Sequence, residues 1–244
     1  MSTLGIIGSS AMDPLQGFEQ SRASNETTPY GEPSSRLLHG QISGQQIIFL
    51  ARHGEEKSIA PHLINSRANL WAFQHAGVER ILAVNAVGGI SQRCVSGSLV
   101  IPDDLIDYTH GREQTFFDGT AKDLRHMEFA APYDEEMRQQ LCAAAAAEEI
   151  VFVPGGTHGI VQGPRLETAA EIKRLARDGC EIVGMTGMPE AALAREMGLA
   201  YACCGVVVNQ AAGIGSGSIY MEIDATKAEG MAKFNQLLQR FLVG

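Results

Sequence analysis

The chain has 244 residues, 45% hydrophobic and 19% charged. Those proportions exclude a disordered chain, and the length suits one α/β domain over residues 1–244 with a large core. Lysine plus arginine is 19 against 28 for aspartate plus glutamate, a formal charge of −9 without a basic run, which argues against nucleic acid or an anionic membrane as the main partner.

Met1-Ser-Thr-Leu-Gly-Ile-Ile-Gly8 carries no basic leader, and no window resembles a membrane span, so the cytoplasm is the expected compartment. The five cysteines are Cys94, Cys142, Cys180, Cys203 and Cys204. An odd count without C-x-x-C reads as free thiols. Cys203 and Cys204, adjacent on an expected strand, should face opposite sides.

Leu4–Ile7 is the first expected strand, followed by Gly8-Ser9-Ser10. Glu19–Pro33, rich in Ser, Asn, Thr and Pro, reads as an insertion-like loop. Gln46–Ala51 is the next strand, with Arg52-His53-Gly54 behind it, and a short apolar helix is expected over Asn69–Ala76. Ile81–Asn85 leads into Ala86-Val87-Gly88-Gly89. Leu99–Ile106 and Ile150–Val153 read as strands, separated by a helix over Glu135–Ala147 that Asp134 can cap. Thr168-Ala-Ala-Glu171 has the capping-box spacing and opens Ala169–Arg177. Glu181–Gly184 leads into Met185-Thr186-Gly187, and Pro189 and Gly198 suit the two ends of a helix over Pro189–Met197. Tyr201–Val208 leads into Asn209-Gln210-Ala211-Ala212-Gly213. Met231, Phe234, Leu238, Phe241 and Leu242 form one helical stripe, read as core packing. Several strands are apolar throughout, as expected when both faces are covered. The alternation implies an α/β fold with a mixed, largely parallel central sheet flanked by helices.

Ligands in open α/β folds collect at the carboxyl ends of strands. Five expected strand ends are followed by glycine or small polar residues and read as one composite pocket. Gly8-Ser9-Ser10 is either an ordinary turn or an anion nest, and the turn weighs more. There is no P-loop, no dinucleotide-binding glycine fingerprint and no G-x-S-x-G. Arg52-His53 is equally a solvated pair or a fixed-charge fork for phosphate. Thr186 is a turn hydroxyl or an anion contact just before a helix start. Glu167 either favours the dipole of the helix behind it or accepts hydrogen bonds from a ligand. Asn209 either satisfies local backbone or donates and accepts toward a heterocycle. His62 reads as a surface residue, His75 and His158 as structural. No His/Cys/Asp/Glu cluster has metal-ligand spacing, so no metal is expected.

Phe49-Leu-Ala-Arg52-His53-Gly54, Asn85-Ala86-Val-Gly-Gly89, Gln162-Gly-Pro-Arg-Leu-Glu-Thr168 and Gly184-Met-Thr-Gly-Met-Pro-Glu190 together resemble the nucleoside phosphorylase family of the trimeric purine type, which includes methylthioadenosine phosphorylases. The resemblance runs from Ile6-Ile7-Gly8 to at least Met221 and is strongest to the bacterial methylthioinosine branch. It implies phosphorolysis of a small-molecule nucleoside in a homo-oligomer, a trimer by preference. Phosphate is a co-substrate, with no metal or organic cofactor. By the family pattern, Ser10, Arg52, His53, the backbone of Ala86, and Thr186 would hold phosphate. Met185 would lie against the ribose. Glu167 and Asn209 would read the base and act in catalysis, with Gln210 and Ala211 beside them in the substrate pocket.

Two positions bear on the base. A 6-oxopurine offers an N1–H donor to ionised Glu167 and an O6 acceptor to Asn209, whereas adenine reverses that edge. An unpaired buried polar group costs ~1–3 kcal/mol. Adenine-specific relatives carry an aspartate at the Asn209 position and a small hydroxyl residue at the Glu167 position, so this chain points to hypoxanthine. At the sugar's 5′ end, Met221 and Ile223 stand where relatives that prefer a 5′-hydroxyl carry a histidine, and they suit an S-methyl group. Ser66 departs from the tyrosine that relatives often carry after Pro-His. Methylthioadenosine phosphorolysis, general inosine/guanosine phosphorolysis and a non-catalytic purine- or phosphate-binding protein on the same fold are the alternatives.

Overall fold

Apolar runs become buried strands. In the computed structural model, which describes residues 3–8, 15–117, 119, 126–215 and 217–244, these are β1 (Thr3–Gly8), β4 (Gln45–Ala51), β5 (Val78–Gly89), β10 (Cys180–Gly184) and β11 (Ala200–Gln210). β1 pairs in parallel with β4 and β5, and β11 runs parallel to β5. β5 is the branching strand. Its body lies between β1 and β11, while its end turns to β10, pairing antiparallel at Gly88–Val183 and Gly89–Ile182. The sheet is therefore mixed and largely parallel, as expected.

The segment read as an insertion loop is partly strand. β2 (Glu19–Ser24) pairs antiparallel with β3 (Leu37–Ile42), which pairs antiparallel with β4. β2 is polar and exposed along nearly its whole length, so it lacks the hydrophobic signal of a strand. β3 was also missed. Its Gly40 is required by close packing, because a Cβ there would stand 2.3 Å from the Glu19 carbonyl oxygen. The single strand expected over Leu99–Ile106 is two. β6 (Leu99–Val100) pairs with β11 and with β8 (Phe152–Val153), whereas β7 (Asp104–Asp107) pairs with β9 (Thr157–Ile160) at the other side. β9 in turn pairs with β10.

Among the described residues, five α-helices cover the sheet: α1 (Ser66–His75), α2 (Glu135–Ala147), α3 (Ala169–Arg177), α4 (Glu190–Glu196) and α5 (Ile219–Val243). Asp134 caps α2 through the Met137 amide, and Thr168 and Glu171 form a full capping box on α3. Alternate residues of the strands feed two cores. Leu82, Val84 and Cys204 pack with Met137, Phe234 and Leu238 of α2 and α5. Ile81, Ala83 and Cys203 pack with Phe73, Ala191 and Leu193 of α1 and α4. Cys203 and Cys204 thus face opposite sides, as strand geometry requires, and all five cysteines are free. Each fully buried large apolar side chain in these layers contributes about 1.5–3 kcal/mol. Among the described residues no helix is long and apolar enough to cross a membrane.

Candidate active site

The segments that follow β4 and β10 are tied to β5 by one amide. Asn85, fully buried on β5, donates through Nδ2 to the Thr186 carbonyl at 3.0 Å and accepts from Arg52 Nη2 at 3.3 Å. Arg52 follows β4 and is itself fully buried. Its Nε and Nη2 donate to the Glu190 carboxylate at 2.5 and 2.9 Å, and Nη1 donates to the Val84 carbonyl at 3.0 Å. Glu190, 2% exposed at the first turn of α4, also accepts from the Tyr201 hydroxyl at 2.9 Å. A buried charge needs such a partner and a full set of hydrogen bonds. The solvated-pair alternative for Arg52 is therefore corrected: it is fully buried and its fork closes on Glu190. Asn85 and Glu190 are not among the site residues expected from the sequence. The available signal is that Asn85 follows an apolar run and Glu190 follows Pro189 at a helix start, each inside a glycine-containing motif.

His53, half-buried, donates from Nδ1 to the Ile59 carbonyl at 2.8 Å. That bond assigns the proton to Nδ1 and leaves the Nε2 lone pair as an acceptor. Burial pushes the imidazole below its ordinary value, the Ile59 bond opposes this, and the Arg52 charge adds to the lowering. Ala86 is half-buried in β5 opposite Val206 of β11. Thr186 is buried in the turn after β10. Ser10 lies outside the described residues.

The residues expected at the base come from the end of β11 and from the loop ahead of α3. A register shift in β11 between Val207 and Asn209 pairs Asn209 with Gly88 and Gln210 with Gly89. Asn209 is 7% exposed. Its Nδ2 donates to the Gln210 carbonyl at 2.7 Å, a bond in which the amide oxygen takes no part. Gln210 is held by its own amide to Glu222 Oε1 at 3.1 Å and by Nε2 to the Cys94 carbonyl at 2.9 Å. Ala211 is buried and donates to the Gly89 carbonyl at 2.8 Å.

Glu167 is half-buried just ahead of the α3 cap. Burial holds its carboxyl above the usual carboxylate value; its own backbone N–H opposes this, Glu171 adds to it and Arg165 opposes it. The loop is braced from behind. The Thr168 amide donates to Glu171 at 2.7 Å, and Arg165 donates to both Glu171 carboxylate oxygens, at 2.9 and 2.7 Å. Glu167 lines a cleft of about 480 Å³ together with Tyr108, His110, Gln162 and Gly163; Asn209 and Thr186 are not in its lining. Met185, half-buried after β10, joins the two loops. Gly163, at φ +61°, lies so close that a Cβ would stand 2.5 Å from the Met185 sulfur.

The apolar pair expected at the 5′ end is not brought together. Met221 and Ile223 both belong to α5, where residues two apart point away from each other. Met221 is 75% exposed, and Ile223 packs against the main core. Between them, Glu222 accepts from Gln210 and from the Ser96 hydroxyl. His62 lies in a short 3₁₀ turn, Pro61–Leu63, and Ser66 is buried at the start of α1. Among the described residues, no group of three or more His, Cys, Asp or Glu is arranged to hold a metal ion.

Residues 3–243 match the family model described as the phosphorylase superfamily. The chain belongs to the phosphorylase superfamily. This phosphorylase is 49% identical over 243 residues to a protein of Pseudomonas syringae pv. tomato named "Probable S-methyl-5'-thioinosine phosphorylase", covering 99% of each chain. It is 39% identical to the "6-oxopurine nucleoside phosphorylase" of Pyrococcus furiosus, covering 96% of this chain and 90% of that one. Its fold is similar to that of the methylthioadenosine phosphorylase of Schistosoma mansoni solved with adenine. The TM-score is 0.92 at 30% identity, covering 100% of this chain and 91% of that one.

Proposed function

We propose that this phosphorylase cleaves S-methyl-5′-thioinosine with phosphate, releasing hypoxanthine and 5-methylthioribose 1-phosphate. The observation that carries the proposal is Glu167, a carboxylate lining the cleft on a loop braced by the α3 capping box. Ionised, it accepts from the N1–H of a 6-oxopurine, and adenine has no hydrogen there to give. The name of the Pseudomonas syringae relative, at 49% identity, supports the same base and the S-methyl group. After the divergence of Met221 and Ile223, the S-methyl assignment rests on that similarity.

In the reaction, a phosphate oxygen forms a bond to C1′ while the C1′–N9 bond breaks and its electron pair passes to the purine. Cationic character grows on the sugar and negative charge on the base. Only groups that interact more strongly in that state speed the step. Asn209 meets this requirement at N7, where the charge collects, and Glu167 orients the base. Neutral His53 presents Nε2 to a P–OH of hydrogen phosphate, and Thr186 offers its hydroxyl. Arg52, closed on Glu190, is tied through Asn85 to the Thr186 turn. One bond at C1′ replaces another without a change in oxidation state, so phosphate is the co-substrate and the proposal includes no metal or organic cofactor. A homotrimer in the cytoplasm belongs to the same proposal, by the family pattern.

Methylthioadenosine phosphorolysis is the second possibility, favoured by the fold of the Schistosoma mansoni structure solved with adenine. Initial rates of phosphate-dependent base release from methylthioinosine, methylthioadenosine and inosine, side by side, separate the readings. The expected outcome is a clear preference for methylthioinosine. Equal or faster turnover of methylthioadenosine would overturn the base assignment, and equal turnover of inosine would overturn the 5′ assignment.

A further inference from the structure

One guanidinium lies between the two loops of the site, and the function proposed above gives it no role. Arg112 sits in the connector after β7. Its Nε donates to Gln162 Oε1 at 3.3 Å. Its Nη1 donates to the carbonyls of Met185 at 3.0 Å and Met188 at 2.6 Å. Its Nη2 donates to the carbonyls of Val161 at 3.3 Å and Gln162 at 2.9 Å. All five N–H groups of the fork have an acceptor, and all five acceptors are neutral oxygens. Three belong to the segment that leads into Gly163 and Glu167. Two belong to the Met185–Met188 turn that carries Thr186. Gln162 is itself held in place, its Oε1 also accepting from the His110 amide at 3.1 Å.

The two segments are not otherwise redundant. β9 and β10 end at Ile160 and Gly184, so their ladder stops just where the loops begin. Past that point, the Val161 amide still bonds the Gly184 carbonyl, and Met185 packs on Gly163. Arg112 adds to the coupling at Val161 and Gln162 on one segment and at Met185 and Met188 on the other, acting on carbonyls that a sheet would otherwise pair. Five directed bonds from a rigid planar group fix distance and tilt together, which a flexible ammonium with three donors cannot do.

We propose that Arg112 is a positioning residue that sets the spacing between the Gln162–Glu167 loop and the Met185–Met188 turn, and so couples the base and phosphate halves of the site. It touches neither substrate and acts through Glu167 on one side and Met185 and Thr186 on the other. The inference rests on the proposed assignment of those loops to base and phosphate, not on which purine is preferred.

The test compares wild type, Arg112→Met and Arg112→Lys, using whichever purine nucleoside the wild-type protein turns over fastest. KM for phosphate, KM for nucleoside, kcat and thermal unfolding are measured for each. For Arg112→Met, both KM values rise and kcat/KM falls roughly 100-fold, the scale on which small misplacement of reacting groups acts. Arg112→Lys restores little of this despite its charge. Low concentrations of guanidinium chloride restore part of the Met variant's rate, whereas sodium chloride at equal ionic strength does not. A folded Met variant with unchanged kinetics would overturn the proposal. So would a change confined to one substrate's KM, or full rescue by lysine. If the Met variant does not fold, the lysine variant decides by the same KM comparison. A wild-type preference for methylthioadenosine sinks the proposed substrate but leaves this test intact.

Discussion

Glu167 and Arg52 illustrate opposite fates for a charged side chain. Both stand in motifs that point to a ligand. Glu167 remains at the wall of a cleft, with burial raising its carboxyl above the usual value. Arg52 disappears beneath the surface onto Glu190, 138 residues further along the chain. The residue types were legible in sequence, but the partner was not, since nothing local links positions so far apart. If Glu167 selects the base by accepting from N1–H, then Glu167→Ser should narrow the ratio of kcat/KM for methylthioinosine over methylthioadenosine by roughly tenfold or more, the scale of one unpaired buried polar group. Measuring that ratio with purified variant decides the point; an unchanged ratio places base selection elsewhere.

Local signals were most informative at helix starts. The Thr168–Glu171 spacing predicts a capping box, and both reciprocal bonds form, from Glu171 N to Thr168 Oγ1 at 3.1 Å and from Thr168 N to Glu171 Oε2 at 2.7 Å. Because Glu167 directly precedes this cap, the element that begins α3 also places the base-reading carboxylate. Thr168→Ala should cost about 1 kcal/mol in urea denaturation. It should raise KM for the nucleoside while leaving KM for phosphate near the wild-type value. Elsewhere the element boundary overrode local pattern. Met221 and Ile223 suit one apolar wall only if the segment is extended. Because α5 already begins at Ile219, they diverge. β2 shows the converse: pairing with β3 makes a strand of residues with no apolar alternation.

At the scale of the whole molecule, His158 links the fold to pH. It is fully buried on β9, and neither ring nitrogen has a hydrogen-bond partner among the described residues. A Cβ on Gly184 would stand 2.7 Å from its Nε2, so the ring is clamped under the turn that leads to Met185. Burial, helped by the Arg52 charge, holds its pKa down to about 3. The native state therefore refuses a proton that the unfolded chain accepts at about 6.5. This contribution leaves stability untouched above that value and lowers it progressively as pH falls from about 6.5 toward about 3. At pH 5 the loss from this one group should be about 2 kcal/mol. Denaturant titrations at pH 7.5 and pH 5 should show His158→Met losing less stability than wild type over that interval. Equal losses would place the acid sensitivity in other groups.

Local patterns along the chain carry the fold class, the two-faced burial of strands such as β11, the caps of α2 and α3, and the glycine-rich strand ends where a site could form. All of these depend on patterns within a few residues: hydrophobic period, cap spacing and turn chemistry. It took the folded chain to show that Arg52 closes on Glu190 and that Asn85 of β5 links the segments that follow β4 and β10. The fold also decided that Leu99–Ile106 splits between two neighbours, and that Arg112 spans both loops of the site. Each of these depends on groups from distant parts of the chain meeting where water is scarce. There, a buried charge left unpaired is costly, and the partner it meets is set by which segments the packed sheet brings side by side.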